Sequence, residues 1–188
     1  MNKDKPTFYV PLIVKINEVC GVEWAVKAMR LPKRSTGDSV FGWDEYRIAD
    51  VTHIGPKDSA LASNLVRAGN DHAKAMRGII AYLEIEMQVG FMIEFETYRH
   101  GVECLSTSSA MHGELKELTG VDLAEQKQKD LSSKVYTRSV MISYQALRSM
   151  YKARKNHRHP DWRTFCKFIE TLPYFDIFIY PEVQIKED

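Results

Sequence analysis

The sequence predicts an α+β fold, in which a small and mainly antiparallel sheet packs with long helices in a single domain over residues 1–188. Two apolar stretches with partial alternation, residues 7–16 and 79–88, are typical of strands. Two longer stretches, residues 56–77 and 136–154, place apolar residues at helical spacing. The chain has 188 residues, 44% of them hydrophobic, which is enough to bury a core.

The first part of the chain is predicted to form a strand, a short helix and a long loop. The strand covers residues 7–16, and Gly21 then leads into the helix VEWAVKAMR, which ends before Pro32. Residues 32–56 combine Pro, Gly, Ser and Asp with aromatic residues, so we expect a loop with at most one short strand. Such a loop either faces a substrate or is a mobile connection, and the sequence leaves both readings open.

The middle of the chain is predicted to alternate between helix and strand. Pro56 opens a helix that runs to residue 77, because proline is well suited to the first helical position. The strand IIAYLEIEMQ follows it. A second helix, FMIEFETYR, is predicted to end at Gly101, since glycine commonly stops helices.

The last third of the chain is predicted to be mainly helical. A short helix is expected over residues 112–120, a polar stretch without a regular element over residues 120–134, and the longest helix over residues 136–154. The buried stripe of that longest helix consists of Val140, Tyr144, Leu147 and Tyr151, and its polar face of Arg138, Gln145 and Arg148. A final helix, DWRTFCKFIETLP, is predicted to be capped by Asp161.

Composition and charge favour a cytoplasmic protein. The net charge of +1 provides no extended field for nucleic acid or membrane, and no apolar run is long enough to span a membrane. The N-terminus shows no signal peptide. The three cysteines are odd in number and far apart, which fits a reducing compartment and predicts neither disulfides nor a metal site.

The segment YRHGVECLSTSSAMH, residues 98–112, is the strongest candidate for a binding site. It joins the cations of Arg99 and His100 to a cluster of hydroxyl side chains. Arginine forks and hydroxyl donors are well suited to a phosphate dianion. The alternatives are that the Arg-His pair is a solvated helix end and that the serine cluster is an ordinary turn.

This segment resembles the signature RHRxxSxNExSxRY of the flavin-dependent thymidylate synthases. Arg99 and His100 match its opening pair, and Ser109 falls on its second serine. Gly101 replaces the third basic residue, Cys104 stands at the first serine, and Met111-His112 replace the closing Arg-Tyr. Two further stretches are similar: NDHAKAMR resembles the family's histidine-rich helix, and KARKNHRHPDWRTF resembles the end of its long helix.

The resemblance covers roughly residues 60–170 and implies a nucleotide enzyme. It implies C5 methylation, or a related modification, of a deoxyuridylate-type nucleotide (dUMP), with FAD as cofactor and a folate as the one-carbon donor. It also implies a homotetramer whose sites lie between chains. The substrate-binding residues it suggests are Arg99, Ser106, Ser108, Ser109, Arg148 and Arg154. The cofactor-binding residues it suggests are His72, Arg77, His100 and His159. An oligomer is also favoured by a surplus of large apolar side chains, namely Phe91, Met92, Phe95, Met150 and Tyr151.

Other readings of these residues remain open. The chain could be a non-catalytic nucleotide-binding protein on the same fold, or residues 148–163, which are basic with interleaved aromatics, could bind single-stranded nucleic acid. His72 is also typical of a core or interface histidine. Cys104 is also typical of a small buried residue or an incidental thiol. The histidines at 157 and 159 lack the second spaced pair that a zinc site needs.

Overall fold

The structure is a computed structural model that describes residues 9–43, 49–109, 115–130 and 134–181. Its strands are β1 (Ile13–Cys20), β2 (Val40–Trp43), β3 (Ala49–His53), β4 (Ile80–Gln88), β5 (Val102–Thr107) and β6 (Val135–Ser143). Its α-helices are α1 (Val22–Arg30), α2 (Pro56–Ala68), α3 (Val89–Phe95), α4 (Gly120–Asp130), α5 (Tyr144–Arg154) and α6 (Pro160–Ile169).

Four strands form the main sheet in the order β1-β4-β6-β5, and every neighbouring pair is antiparallel. Strands β2 and β3 form a separate antiparallel hairpin. Helices pack with the sheet around a common apolar core. The predicted α+β class with a small antiparallel sheet is therefore confirmed.

The central strand β4 shows why the sheet has one face in the core. Its side chains alternate between buried and half-buried, because successive residues of a strand point to opposite faces. The buried set consists of Ala81, Leu83, Ile85 and Met87. Trp162 and Phe165 of α6 belong to the same core.

The antiparallel register brings three distant parts of the chain to one end of the sheet. Ile80 at the start of β4 pairs with Ser143 at the end of β6, and Val102 at the start of β5 pairs with Ile142. The residues just before β4, just before β5 and just after β6 therefore lie close together. The main-chain N–H of Ser143 donates to the carbonyl of Gly101 at 2.8 Å, which links two of these parts directly.

The prediction of one long helix over residues 136–154 is wrong in its first half. Residues 135–143 form strand β6, and only Tyr144–Arg154 is helical. The strand passes into the helix without a loop, because the side chain of Ser143 accepts a hydrogen bond from the backbone N–H of Ala146 and caps α5. The whole predicted stripe is nevertheless buried, since this face of β6 and of α5 both contact the core.

Several other boundaries differ from the predictions. The hydroxyl-rich segment predicted as a loop is strand β5 as far as Thr107, and the polar stretch after residue 119 is helix α4. Helix α2 ends at Ala68, well before residue 77. The loop over residues 32–56 contains two short strands. The first strand begins at Ile13, later than predicted, whereas helix α1 has the predicted bounds.

Two further predictions concern the segments beside α4 and α6. The short helix predicted over residues 112–120 begins outside the described residues, and its described part, residues 115–119, is not helical. The cap of α6 is His159, whose Nδ1 accepts from the main-chain N–H of Asp161 at 3.3 Å. Asp161 instead accepts from the hydroxyl of Tyr9 and the main-chain N–H of Leu12.

The large apolar side chains that suggested an oligomer are mostly buried within one chain. Phe91, Phe95, Met150 and Tyr151 are at most 7% exposed, and Met92 packs against the same core. They need no second copy to remove them from water. Assembly into a tetramer therefore stays a prediction without support from these residues.

Candidate functional site

A cavity of about 660 Å³ opens where the three chain segments converge at the end of the sheet. Such a volume is in the range of small-molecule sites. Its walls come from the segment before β4, the turn before β5, and the junction of β6 with α5. The polar and charged side chains among its lining residues are Asn70, Arg77, Thr97, Tyr98, Arg99, His100, Glu103, Ser143, Gln145 and Ser149.

One wall of this cavity is a connected set of polar side chains. Arg77 donates from Nε to Oε1 of Gln145 at 2.6 Å, and Gln145 donates from Nε2 to the carbonyl of Asn70 at 2.8 Å. The Asn70 side chain in turn accepts from Nη1 of Arg148 at 2.8 Å. The amide groups of this wall are thus held in place before any ligand binds. The two Nη groups of Arg77 have no hydrogen-bond partner among the described residues and are left for another acceptor.

Arg99 and His100 are two basic residues that line the cavity. Both lie on the turn between α3 and β5, and both are exposed. Within the described part of the chain, neither side chain makes a hydrogen bond or an ion pair. An exposed arginine without a partner can rotate onto an incoming anion at little cost, because no existing contact has to break.

Gly101 closes the turn at a position that disfavours a side chain. Its φ is +75°, and a Cβ at this position would lie 2.5 Å from Oγ of Ser143. A larger residue here would therefore be strained and would require Ser143 to move. The resembling signature has its third basic residue at this position.

Arg154 holds the turn in place from the end of α5. It donates from Nε to the hydroxyl of Tyr98 at 2.9 Å, and its Nη1 lies 2.9 Å from Nε2 of His157. Its guanidinium also lies over the buried ring of Trp162, 4.8 Å from the ring centroid. Arg154 was predicted to bind substrate, but in this chain it contacts the protein and does not line the cavity.

A smaller cavity of about 180 Å³ lies on the other side of the turn and shares Tyr98, Arg99 and Glu103 with the first. Arg138 on β6 lines it and forms an ion pair with Glu96 at 2.6 Å. The Arg138 side chain is only 13% exposed, and its Nε has no hydrogen-bond partner in the described residues. Arg99 therefore stands between two openings, with a second arginine behind it.

The hydroxyl cluster does not reach the main cavity. Ser106 lies on β5 opposite Ser139, and Ser108 extends the ladder, because its main-chain N–H donates to the carbonyl of Thr137 and its Oγ accepts from the N–H of Thr137. Ser109 follows and is exposed. Cys104 is exposed rather than buried and lines the smaller cavity. These hydroxyls complete the edge of a sheet, and their role as ligand contacts stays a prediction.

Two other predicted site residues also lie away from the cavity. Arg148 is 7% exposed and donates from Nη2 to the carbonyl of Val66 at 2.6 Å. Burial lowers the pKa of its guanidinium, and its contacts stabilise the wall rather than a ligand. His72 is exposed in a turn and is not a core histidine.

The basic run over residues 148–163 does not form a stacking surface. Its aromatic side chains Tyr151 and Trp162 are buried, and Trp162 donates from Nε1 to Glu94 at 2.8 Å. Stacking on bases needs exposed rings. The interpretation of this run as a single-stranded nucleic-acid site therefore loses its main support.

Asn70, Glu103 and Ser143 also line the cavity, although they were not among the site residues predicted from the sequence. The signal that was available is the β-branched run in Val135–Ser143, which is typical of a strand. A strand there would have placed Ser143 and Gln145 at the end of the sheet.

Within the described residues, no group of three or more His, Cys, Asp or Glu side chains could hold a metal ion. No described helix is long and apolar enough to cross a membrane.

Comparisons with known proteins find similarity in structure alone. No protein-family model and no curated protein matches the chain. Thymidylate synthase X from Helicobacter pylori, solved with FAD and dUMP, aligns with a TM-score of 0.61 at 14% identity, over 90% of this chain and 97% of that one. The UMP/dUMP methylase PolB from Streptomyces cacaoi, bound with 5-Br dUMP, aligns with a TM-score of 0.58 at 13% identity, over 85% and 88%.

These alignments cover most of both chains. At such low identity they establish a common fold and no particular residue role. The chain therefore has the fold of the flavin-dependent thymidylate synthases.

Proposed function

We propose that the chain binds a pyrimidine nucleoside monophosphate of the dUMP type in the cavity between Arg77 and Arg99. The observation that carries this proposal is the convergence of two arginines with uncommitted Nη groups on a cavity of about 660 Å³. Arginine binds phosphate oxygens with two parallel hydrogen bonds, and the two cations exceed the one carboxylate of Glu103 in the lining.

The rest of the lining suits the base and the sugar. Tyr98, Met141 and Ala146 offer apolar surface against which a pyrimidine ring can lie. Gln145 and Asn70 present amides that are already oriented by Arg77 and by each other. A site of this kind selects by hydrogen bonds in fixed positions, because the side chains lose little freedom on binding.

The enzymatic form of this proposal is C5 methylation, or a related modification, of that nucleotide. The likeness to a thymidylate synthase solved with FAD and dUMP and to a UMP/dUMP methylase supports it. A reduced flavin would supply a hydride and a folate the one-carbon unit. What this chain's own residues contribute is binding and orientation of the pyrimidine.

The described lining fits the phosphate of a mononucleotide better than it fits FAD. It contains two arginines and no lysine, and Gly101 stands where the resembling signature has its third basic residue. The diphosphate of FAD would need further cations. A second copy of the chain could provide them, as in the homotetramer that the resemblance implies.

A non-catalytic nucleotide-binding protein is the second candidate function. The specific observation in its favour is the same close approach of Gly101 to Ser143, which disfavours a basic side chain at position 101, where the resembling signature has one.

Calorimetric titration with dUMP and with deoxyuridine tests the binding proposal. We expect dUMP to bind and deoxyuridine, which lacks the phosphate, to bind at least about tenfold more weakly. Equal affinities, or no binding of dUMP at millimolar concentration, would refute it.

Absorbance of the purified protein after addition of FAD then separates the two functions. Bound flavin with its visible bands supports the enzyme, and the absence of bound flavin supports the binding protein.

A further inference from the structure

A second cavity, of about 610 Å³, lies between the end of α1, the loop over residues 34–39, strand β2 and the start of α2. It shares no lining residue with the nucleotide cavity. Neither the resemblance nor the proposed function uses it. The second cavity is therefore separate from the proposed nucleotide site.

The loop that forms its wall is fixed to α2 by a dense set of hydrogen bonds. The carboxylate of Asp58, which is fully buried, accepts from Nε of Arg30 at 2.6 Å, from Oγ of Ser39 at 2.6 Å, and from the main-chain N–H groups of Asp38 and Ser39 at 2.9 Å each. The Asp38 side chain accepts in return from the N–H groups of Lys57 and Asp58 at the first turn of α2.

Gly37 shows how closely this loop approaches the helix. A Cβ at this position would lie 2.5 Å from Oδ2 of Asp58, so only glycine fits. A surface loop that merely connects two elements needs no such fixation, because loops are usually mobile and tolerant of change. The loop is instead held in one shape around an open cavity.

Arg34 is the strained and uncompensated residue of this cavity. Its φ is 47°, a left-handed conformation that is uncommon for residues other than glycine and that here ends the short 3-10 helix Leu31–Lys33. Its side chain is exposed and makes no hydrogen bond or ion pair within the described residues. Strained backbone of this kind is concentrated at ligand clamps and other functional positions.

Among the described charged side chains that line this cavity, Arg34 is the one without an acidic partner. Lys27 pairs with the buried Glu23, and Arg30 pairs with Asp58. Arg34 has no acid to balance it among the lining residues. Nη2 of Arg30 is also buried and has no hydrogen-bond partner among the described residues, so an acceptor in the cavity would satisfy it.

The uncharged lining combines hydroxyl groups with apolar surface. Ser35 and Thr36 lie beside Arg34, while Val26, Leu31 and Phe41 form the apolar part. Leu31 is 72% exposed and Phe41 is half-buried, with the ammonium of Lys27 5.5 Å from the ring centroid of Phe41. Apolar surface with a few converging polar groups is typical of a small-molecule site.

We propose that this second cavity binds a small molecule that combines a flat ring with one anionic group, with the ring against Phe41 and Leu31 and the anion at Arg34, Ser35 and Thr36. The anionic group is a phosphate, as in a purine nucleoside monophosphate, or a carboxylate on an aromatic ring. Both sources present the same chemistry to the cavity, namely a flat ring for its apolar side and negatively charged oxygens for its arginine and hydroxyl groups.

Calorimetric titrations with AMP and with 4-aminobenzoate distinguish the two sources, and adenosine serves as the uncharged comparison. We expect one of the two anions to bind and adenosine to bind at least about tenfold more weakly. Arg34→Gln should weaken the anion about tenfold, Arg34→Lys should restore most of the affinity, and Lys152→Gln, an exposed change that lines neither cavity, should have no effect.

The variants also separate this site from the nucleotide cavity. Arg34→Gln should leave dUMP affinity unchanged, and Arg99→Ala should leave the affinity for the new anion unchanged. No binding of either anion at millimolar concentration, or an unchanged affinity in Arg34→Gln, would overturn the proposal. Loss of that affinity in Arg99→Ala would do so as well, because the anion would then occupy the first cavity.

Discussion

The guanidinium of Arg154 donates a hydrogen bond to the phenolic oxygen of Tyr98 over 2.9 Å, and this contact ties the end of α5 to the turn that carries Arg99. The same guanidinium lies 5.6 Å from the ring centroid of Tyr98. Tyr98 lines both the main and the smaller cavity. The sequence suggested Arg154 as a ligand contact. In the structure Arg154 instead holds Tyr98, which lines the cavity next to Arg99.

Removing the Tyr98 hydroxyl should therefore destabilise the protein. In Tyr98→Phe, Nε of Arg154 loses its acceptor in a half-buried position, and we expect the free energy of unfolding to fall by about 1 kcal/mol. Urea denaturation measures this. Tyr82→Phe is the matched control, because the hydroxyl of Tyr82 makes no hydrogen bond within the described residues. Equal losses in the two variants would contradict the role assigned to the Arg154 contact.

Arg99→Ala should weaken nucleotide binding without weakening the fold. Arg99 is exposed and has no partner among residues that the structure describes, so we expect dUMP affinity to fall about tenfold, or about 1.4 kcal/mol, and the melting temperature to stay the same. Calorimetry and thermal unfolding measure the two effects. Arg158→Ala, an exposed arginine that lines neither cavity, should change neither quantity. A large loss of stability in Arg99→Ala would show that the turn depends on this side chain.

Arg148→Met should mainly lower the stability of the fold, in contrast to Arg99→Ala. The buried Arg148 serves the carbonyl of Val66 and the side chain of Asn70, and both acceptors would lose their donor. We expect a loss of about 3 kcal/mol in the free energy of unfolding, measured by urea denaturation. Arg67→Met on the exposed face of α2 should cost far less. An unchanged stability in Arg148→Met would mean that the buried guanidinium gains nothing from these contacts.

Asp58 should make stability depend on pH in the acid range. Burial by itself raises the pKa of its carboxyl, but the hydrogen bonds from Ser39, from Arg30 and from the loop N–H groups outweigh burial and hold the pKa below its ordinary value of 3.8. The ionised form is thus favoured in the folded state. Its contribution is complete above the unfolded-state pKa and is lost as the pH falls below about 3.8.

The comparison of the protein with Asp58→Asn tests this sign. We expect the wild-type chain to be more stable near pH 7 and the difference to shrink as the pH falls below 4, when measured by urea denaturation at each pH. A difference that stays constant down to pH 3 would show that the carboxylate charge is not what holds the loop.

Gly101→Ala should destabilise the turn through a clash and through strained backbone. The new Cβ would lie 2.5 Å from Oγ of Ser143 and would take a φ of +75°. We expect a loss of about 2 kcal/mol, and part of it should return in the double variant with Ser143→Ala, because the clashing oxygen is then absent. Thermal unfolding of the four proteins measures this coupling. If the stability losses of the two single variants simply add in the double variant, the destabilisation by Gly101→Ala comes from the backbone conformation and not from the clash with Ser143.

Local pattern was enough to predict some parts of the fold and not others. Helix α1 and strand β4 were predicted well, because each has one clear period and a boundary residue. Residues 135–154 were not, because the strand continues into the helix without a break and both elements bury the same side of the chain. Val140 and Tyr144 are four residues apart and both buried, which is also the spacing of one helical face.

The candidate site shows a similar division. Arg77, Arg99 and His100 were found from the sequence as cations near a resembling signature, and they do line the cavity. Gln145 and Asn70 are ordinary polar residues far apart in the chain, and only the sheet order brings them together. Ser106 and Ser108 pair with β6 and do not line this cavity, so their role as ligand contacts stays a prediction.

The loop-free passage from β6 into α5 has a mechanical consequence for the cavity. Residues 135–154 form one unit in which Met141 and Ser143 border the cavity, and α5, about 16 Å long, ends at Arg154, which contacts Tyr98 on the cavity wall. The start of α5 thus borders the cavity, and its end supports the turn that carries Arg99. Because one helix connects both places, we expect a nucleotide that displaces the start of α5 to displace this turn as well.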